Sequence, residues 1–226
     1  MQIKATSLLI TCLFALNTLF SQFKKTPEFV YIKKEIPNIK IDLRYITKNN
    51  FIGKPINGYY KSKAIISIES INALKKVQNE LKKQGFSLII YDAYRPQKAV
   101  NHFVTWAKSL SDTLMKKQYY PNVAKIDLFK NGYISSHSRH SSGSTIDLSI
   151  YSIKDKKVLD MGTPYDFFSP KSWTNHSDLT QRQKQNRMLL LTIMKKYGFR
   201  NYPKEWWHYT LINEPYRNKY FNFNVE

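Results

Sequence analysis

The segment Thr145-Ile-Asp-Leu-Ser-Ile150 reads as a β-strand with a carboxylate inside it. Asp147 lies between Ile146 and Leu148, where an ionised side chain is costly unless it is paired or bound to a cation. Immediately upstream runs Ser138-Arg-His140-Ser-Ser-Gly143, a Ser/Gly-rich loop. Gly143 lets that loop fold back, so that the imidazole of His140 and the carboxylate of Asp147 can converge. Zn²⁺ accepts imidazole nitrogen and carboxylate oxygen together. Taken alone, the segment also fits a loop histidine followed by a capping or salt-bridged aspartate, and both readings stay open on it. The single cysteine, Cys12, excludes an internal disulfide framework, a Cys-rich zinc finger and an iron–sulfur cluster.

Around this strand the chain alternates helical and extended patterns without a regular βαβ rhythm. Residues 39–45 alternate and predict a strand. Ile68, Ile71, Leu74, Val77 and Leu81 recur at helical spacing and predict a helix over 68–83, with Gly85 placed for a left-handed cap. A short buried strand follows over 86–91. Pro96 then opens a helix whose apolar stripe is Ala99, Val100, Phe103, Ala107 and Leu110. A long helix over 179–197 ends at Gly198, and 206–212 reads as an aromatic-rich strand. The pattern predicts a single α+β domain, with an antiparallel central sheet flanked by helices. A hydrophobic content of 42% supplies a sizeable core and excludes a disordered chain.

The first residues belong to a different class. Lys4 is followed by a mostly apolar run over 8–20, broken by Thr11, Asn17 and Thr18. A membrane span needs about 20 apolar residues, so this run is short for one and reads as a signal peptide. The expectation is a signal over 1–21, a mature domain over 22–226, and export to the periplasm. Thr11 before Cys12 is a poor match to a lipidation site. The formal charge of +20 is the odd feature, and Lys4 is the only charge in 1–21. Such a balance raises nucleic acid or an anionic surface as a partner. The basic residues are dispersed, with pairs such as Lys75-Lys76, Lys82-Lys83 and Lys195-Lys196 on predicted helices, and no nucleic-acid motif accompanies them. No nucleic-acid partner is therefore expected, while a weak association with anionic envelope surfaces stays open.

Two further segments carry chemistry. In Glu205-Trp-Trp-His208 a carboxylate and an imidazole stand three residues apart. A catalytic zinc site commonly has three protein ligands, and a nearby carboxylate outside that set can take a proton from water. Positions i and i+3 of a regular strand face opposite ways. The segment must therefore turn around Trp206, or Glu205 must precede the strand, which Pro203 favours. Alone, these residues equally fit a surface glutamate and a histidine on an aromatic strand. In Tyr91-Asp-Ala-Tyr-Arg95-Pro, Arg95 falls where a strand gives way to a helix. Its guanidinium could hold an oxyanion or a substrate carboxylate, or simply pair with Asp92. His137 reads as a loop or supporting residue, and His102 and His176 as structural or solvated. Ser138 lacks the Gly-x-Ser-x-Gly surroundings of a serine nucleophile.

Together, Ser138-x-His140-x-x-Gly143-x-x-x-Asp147 and Glu205-x-Trp207-His208 resemble the paired signature of the zinc D,D-peptidases of family M15. Asp42-Leu-Arg-Tyr45, Asn49-Asn-Phe-x-Gly53, the segment 91–100 and Asp160-Met-Gly-Thr-Pro-Tyr-Asp166 resemble its D-alanyl-D-alanine dipeptidase branch, the VanX type. The resemblance covers about Ile36 to Thr210. It implies the zinc D,D-peptidase (hedgehog/DD-peptidase-like) fold and one Zn²⁺ per chain, held by His140, Asp147 and His208. It further implies Glu205 as catalytic base, Arg95 as transition-state stabiliser, Asp166 as holder of the substrate ammonium and Ser138 as a substrate contact. The implied reaction is hydrolysis of a small D,D-dipeptide, in wall turnover or D-Ala salvage. Two other activities stand beside it: a D,D-carboxypeptidase or endopeptidase on peptidoglycan stems, and a non-catalytic wall-binding module. Thr145 departs from the family pattern, which usually has Ala there, and a small local adjustment is expected.

Overall fold

A computed structural model describes residues 28–226. The segment read as a signal, with Cys12 in it, lies outside the described residues. The chain begins with β1 (Phe29–Tyr31), a short α1 (Ile32–Glu35), β2 (Lys40–Ile41) and β3 (Ile65–Ser67). Next come α2 (Ile68–Lys83), β4 (Phe86–Asp92), α3 (Gln97–Lys108) and a single-turn α4 (Lys116–Tyr119). The second half holds β5 (Thr145–Ser152), β6 (Lys157–Val158), α5 (Gln181–Lys196), β7 (Phe199–Asn201) and β8 (His208–Leu211). The main sheet has the order β2-β4-β5-β8-β7, with β6 added on β5, and β1 pairs β3 separately.

The expected α+β class and antiparallel sheet hold, with one addition. All pairs in the main sheet are antiparallel except β2–β4. Parallel pairing follows from the connection, because β2 reaches β4 by way of β3 and α2 and not through a hairpin. Strand β5 is buried along nearly its whole length, and β4 and β8 flank it. Ile146, Leu148 and Ile150 enter the apolar core, each contributing roughly 1.5–3 kcal/mol of burial. Thr145, Asp147 and Ser149 project from the other face and are buried as well.

Helix α2 has the predicted bounds. Ser67 caps it by accepting from Ser70 N, its inner stripe is Ile71, Leu74, Val77 and Leu81, and Gly85 follows with φ +80°. Helix α5 starts at Gln181 behind a reciprocal capping box between Thr180 and Gln183. Three expectations change. The extended run predicted over 39–45 pairs only at Lys40–Ile41, then tightens into a 3₁₀ turn at Arg44–Ile46 that drives Tyr45 into the interior. Helix α3 ends at Lys108, so Leu110 leaves the stripe and is exposed. The last strand starts at His208, because Trp206 and Trp207 are spent in the turn before it.

Gly143 is the tightest point of the fold near β5. It ends the 3₁₀ turn Arg139–Ser142 with φ +76°, and a Cβ there would lie 2.1 Å from Cε1 of Phe29 in β1. Gly85 shares the positive φ but has open space where its Cβ would go. Gly143→Ala is therefore expected to lose about 2–4 kcal/mol in urea unfolding, against about 1 kcal/mol for Gly85→Ala, since only the first adds a clash to backbone strain. Equal losses would show that the clash is relieved at no cost.

Candidate active site

Register brings the three expected ligands together. Asp147 on β5 is directly opposite His208 on β8, and in an antiparallel pair such residues point to the same face. His140 arrives from the 3₁₀ turn, where Ser138 Oγ accepts from His140 N. The Nδ1 of His140 lies 2.7 Å from the carbonyl oxygen of Ala93. A carbonyl only accepts, so Nδ1 carries the proton and Nε2 presents a lone pair. That Nε2 is 3.3 Å from Asp147 Oδ1 and 3.4 Å from His208 Nδ1, and His208 Nδ1 is 3.1 Å from Asp147 Oδ1.

This triangle tests whether a metal fits. Ligand bonds of about 2.0–2.1 Å in a tetrahedron place ligand atoms about 3.3 Å apart, which is the spacing of these three atoms. Asp147 Oδ1 is buried and makes no aligned hydrogen bond, although two ring nitrogens surround it. His140, Asp147 and His208 thus bring two ring nitrogens and a carboxylate oxygen to one point, where a cation could bind all three. Burial works against ionising Asp147, yet the two imidazoles hold its pKa well below the ordinary carboxylate range.

Glu205 sits in the turn before β8, as Pro203 suggested. His208 N donates to Glu205 O at 3.3 Å, and the Glu205 Oε2 lies 3.4 Å from His208 Nδ1. Glu205 is therefore beside the triad without belonging to it. Burial pushes its pKa up to about 7, with the neighbouring His208 opposing. Arg95 leaves the end of β4 at a register irregularity between Ile90 and Asp92. Its Nε donates to Asp92 Oδ2 at 2.8 Å, and one Nη lies 3.5 Å from Asp147 Oδ2. The guanidinium also lies over the rings of Tyr45 and Phe103. Pairing with Asp92 and facing the site are thus both realised in one side chain.

Asp166 is buried with φ +62°, a left-handed backbone in a residue other than glycine. Tyr45 Oη donates to its Oδ2 at 2.9 Å, and burial raises its pKa well above the ordinary range. The positive charge of Arg95 opposes this rise, and an ammonium ion beside the carboxyl would favour its ionised form further. Ser138, His140, Asp147, Asp166, Glu205, His208 and Arg95 all line one cavity of about 280 Å³. His137 also borders it but stands outside the triad, against the ring of Tyr220. His102 accepts from Asn57 N, and His176 lies away near Asp178. Thr145 bonds Thr210 hydroxyl to hydroxyl at 2.8 Å across the strand pair, so its added oxygen is satisfied without disturbing Asp147.

A family model described as D-ala-D-ala dipeptidase matches residues 25–226. The chain belongs to that peptidase family. It is 39% identical over 197 residues to a D-alanyl-D-alanine dipeptidase of Enterococcus faecalis, covering 87% of this chain and 98% of the relative. The corresponding dipeptidase of Enterococcus faecium is 37% identical, with 88% and 98% covered. That of Streptomyces coelicolor is 35% identical, with 88% and 99% covered.

Sequence reasoning missed the groups that hold this dipeptidase site in shape. Tyr165 Oη lies 3.1 Å from Asp147 Oδ2 and 3.0 Å from Tyr45 Oη, so two tyrosines join Asp147 to Asp166. Tyr59 Oη donates to Asp92 Oδ1 at 2.7 Å. Tyr45 and Tyr165 stood inside the family segments, but nothing in their spacing distinguishes a buried hydroxyl bridge from core packing. The triangle generates a direct expectation. Metal-stripped protein gains thermal stability on adding zinc, by about 2.7 kcal/mol when free zinc is a hundredfold above Kd. His208→Ala removes that gain, and a full gain in the variant would place the ion elsewhere.

Proposed function

We propose that this chain is an exported zinc dipeptidase that hydrolyses D-alanyl-D-alanine to two D-alanines, with one zinc held by His140, Asp147 and His208. The observation that carries the reading is the triangle of ligand atoms facing a cavity that Glu205, Arg95 and Asp166 also line. Zinc bound there supplies Lewis-acid chemistry, acidifying water and polarising the scissile carbonyl. Glu205, placed beside the triad but outside it, takes the proton of the attacking water and returns it to the leaving amine. The new C–O bond forms as charge moves onto the carbonyl oxygen, and the amide C–N bond breaks when that charge returns and the nitrogen takes the proton, so one product carries the new carboxylate and the other the new amine.

Arg95 donates to the oxygen on which charge develops. Asp92 fixes one edge of the guanidinium, and two aromatic rings fix its plane, so little reorganisation accompanies the reaction. Asp166 pairs with the free ammonium of the substrate and thereby favours a dipeptide over an internal bond of a longer stem. Ser138 stands at the cavity wall as a polar contact for the same substrate. The N-terminal apolar run supports export to the periplasm, where the enzyme meets dipeptide released from the wall. That placement suits wall turnover or D-Ala salvage.

Glu205→Ala keeps its zinc by metal analysis while kcat on D-Ala-D-Ala falls by about 10²–10⁴. Wild-type turnover in that variant would remove Glu205 from the mechanism. Parallel assays of D-Ala-D-Ala, a pentapeptide stem and L-Ala-L-Ala on residues 22–226 are expected to give turnover on the first alone. Preference for the stem would make the chain a carboxypeptidase.

A further inference from the structure

Arg187, on α5, is 1% exposed, and none of its donors goes to a carboxylate. Its Nε donates to Met161 O at 2.6 Å, Nη1 to Trp173 O at 2.5 Å and Nη2 to Lys171 O at 2.9 Å. Asp160, the acid nearby, is occupied by Gly162 N and the Gln183 side chain. The acceptors flank residues 162–170 on both sides, so one guanidinium closes the neck of that loop. Tyr165 and Asp166 lie within it, and the three Arg187 hydrogen bonds go to its flanks.

The first turns of α5 meet the loop neck through polar groups. Residues 181–187 of α5 are Gln-Arg-Gln-Lys-Gln-Asn-Arg, with no apolar side chain to bury against the loop. Gln183 and Asn186 of the same stretch donate to Asp160, Asn186 through Nδ2 to its carbonyl at 2.8 Å. An apolar residue would fill the same volume without desolvating a charge. A guanidinium fork, however, fixes several carbonyls in one plane, which a lysine does not. Such a hold matters because Asp166 keeps a positive φ, a conformation that persists only where its surroundings impose it.

We propose that Arg187 is a positioning residue for substrate recognition, clipping the 162–170 loop so that Asp166 faces the substrate ammonium. This rests on reading Asp166 as the partner of that ammonium. The test compares D-Ala-D-Ala with propanoyl-D-alanine, which keeps the amide and carboxylate but lacks the ammonium, as a competitive inhibitor. Arg187→Lys is expected to raise KM for D-Ala-D-Ala about tenfold, with kcat within about threefold and the inhibition constant of propanoyl-D-alanine within about twofold. Zinc content stays at the wild-type level. An unchanged KM, or equal weakening of both ligands, overturns the proposal. Asp166→Asn is measured alongside. If it separates the two ligands and Arg187→Lys does not, the clip alone fails; if neither separates them, the reading of Asp166 fails and the clip with it. Should Arg187→Lys not fold, Asn186→Ala carries the test through the same loop neck, with an expected asymmetry of about threefold. Its absence there overturns the proposal.

Discussion

The carboxylate of Asp147 is the constraint on which this structure depends. It is 2% exposed in the middle of the sheet, and burying an unpaired carboxylate costs several kcal/mol even after relaxation. The fold answers by dividing its two oxygens. Oδ2 faces Arg95 and Tyr165, which make it an acceptor within a hydrogen-bonded network. Oδ1 is left without an aligned hydrogen bond and turned toward Nε2 of His140 and Nδ1 of His208. Such an arrangement is unfavourable for the protein alone and becomes favourable with a divalent cation. A metal bound there would therefore be coupled energetically to formation of the site.

The same economy governs the buried cations. Arg187 and Lys125 both lie in the interior, and both satisfy their donors with main-chain carbonyls. Lys125 Nζ donates to Ser109 O at 2.7 Å and to Asp112 O, and it lies over the ring of Trp106. Burial pulls the pKa of Arg187 down to about 10, and it still remains charged at neutral pH. In each case a buried cation ties main-chain carbonyls of separate loop positions together. A guanidinium is the better tie at the 162–170 loop because the acceptors there lie on both sides of the neck.

How far the sequence made this legible depends on the range of the interactions involved. The helix at Ile68–Lys83 was readable because its stripe, Ser67 cap and Gly85 are all local. The candidate ligands were readable as a group because His140, Gly143 and Asp147 lie within one turn-and-strand unit, and Glu205 and His208 within another. By contrast, the extended pattern at 39–45 gave way because Tyr45 is drawn inward to Asp166, a partner 121 residues along the chain. Tyr59 with Asp92, and Tyr165 with Asp147, are invisible for the same reason. Leu110 fitted the helical period of α3, but the helix had already ended at Lys108, and periodicity does not mark where a chain turns. Local chemistry is written in spacing, whereas the groups that hold it in place are fixed only by the tertiary register.

Burial withdraws charges of both signs from the surface of the chain. Its 16 acidic residues are outnumbered by 36 Lys and Arg, and several of those acids are withdrawn from the surface. Asp92, Asp147 and Asp166 are buried in the site, and Glu214 is held by Arg139 and Ser142 with a side chain that is 1% exposed. Arg187 and Lys125 are withdrawn as well and Arg95 is largely covered, so the solvent-facing shell keeps roughly the formal excess of positive charge. A field of that sign acts on anionic surfaces and fades over a Debye length of about 8 Å at physiological salt. A zwitterionic dipeptide has no net charge for it to steer. Discrimination at the cavity must then come from short-range contacts with the fixed groups that line it, and so depends on the loop and ring contacts that hold those groups in place.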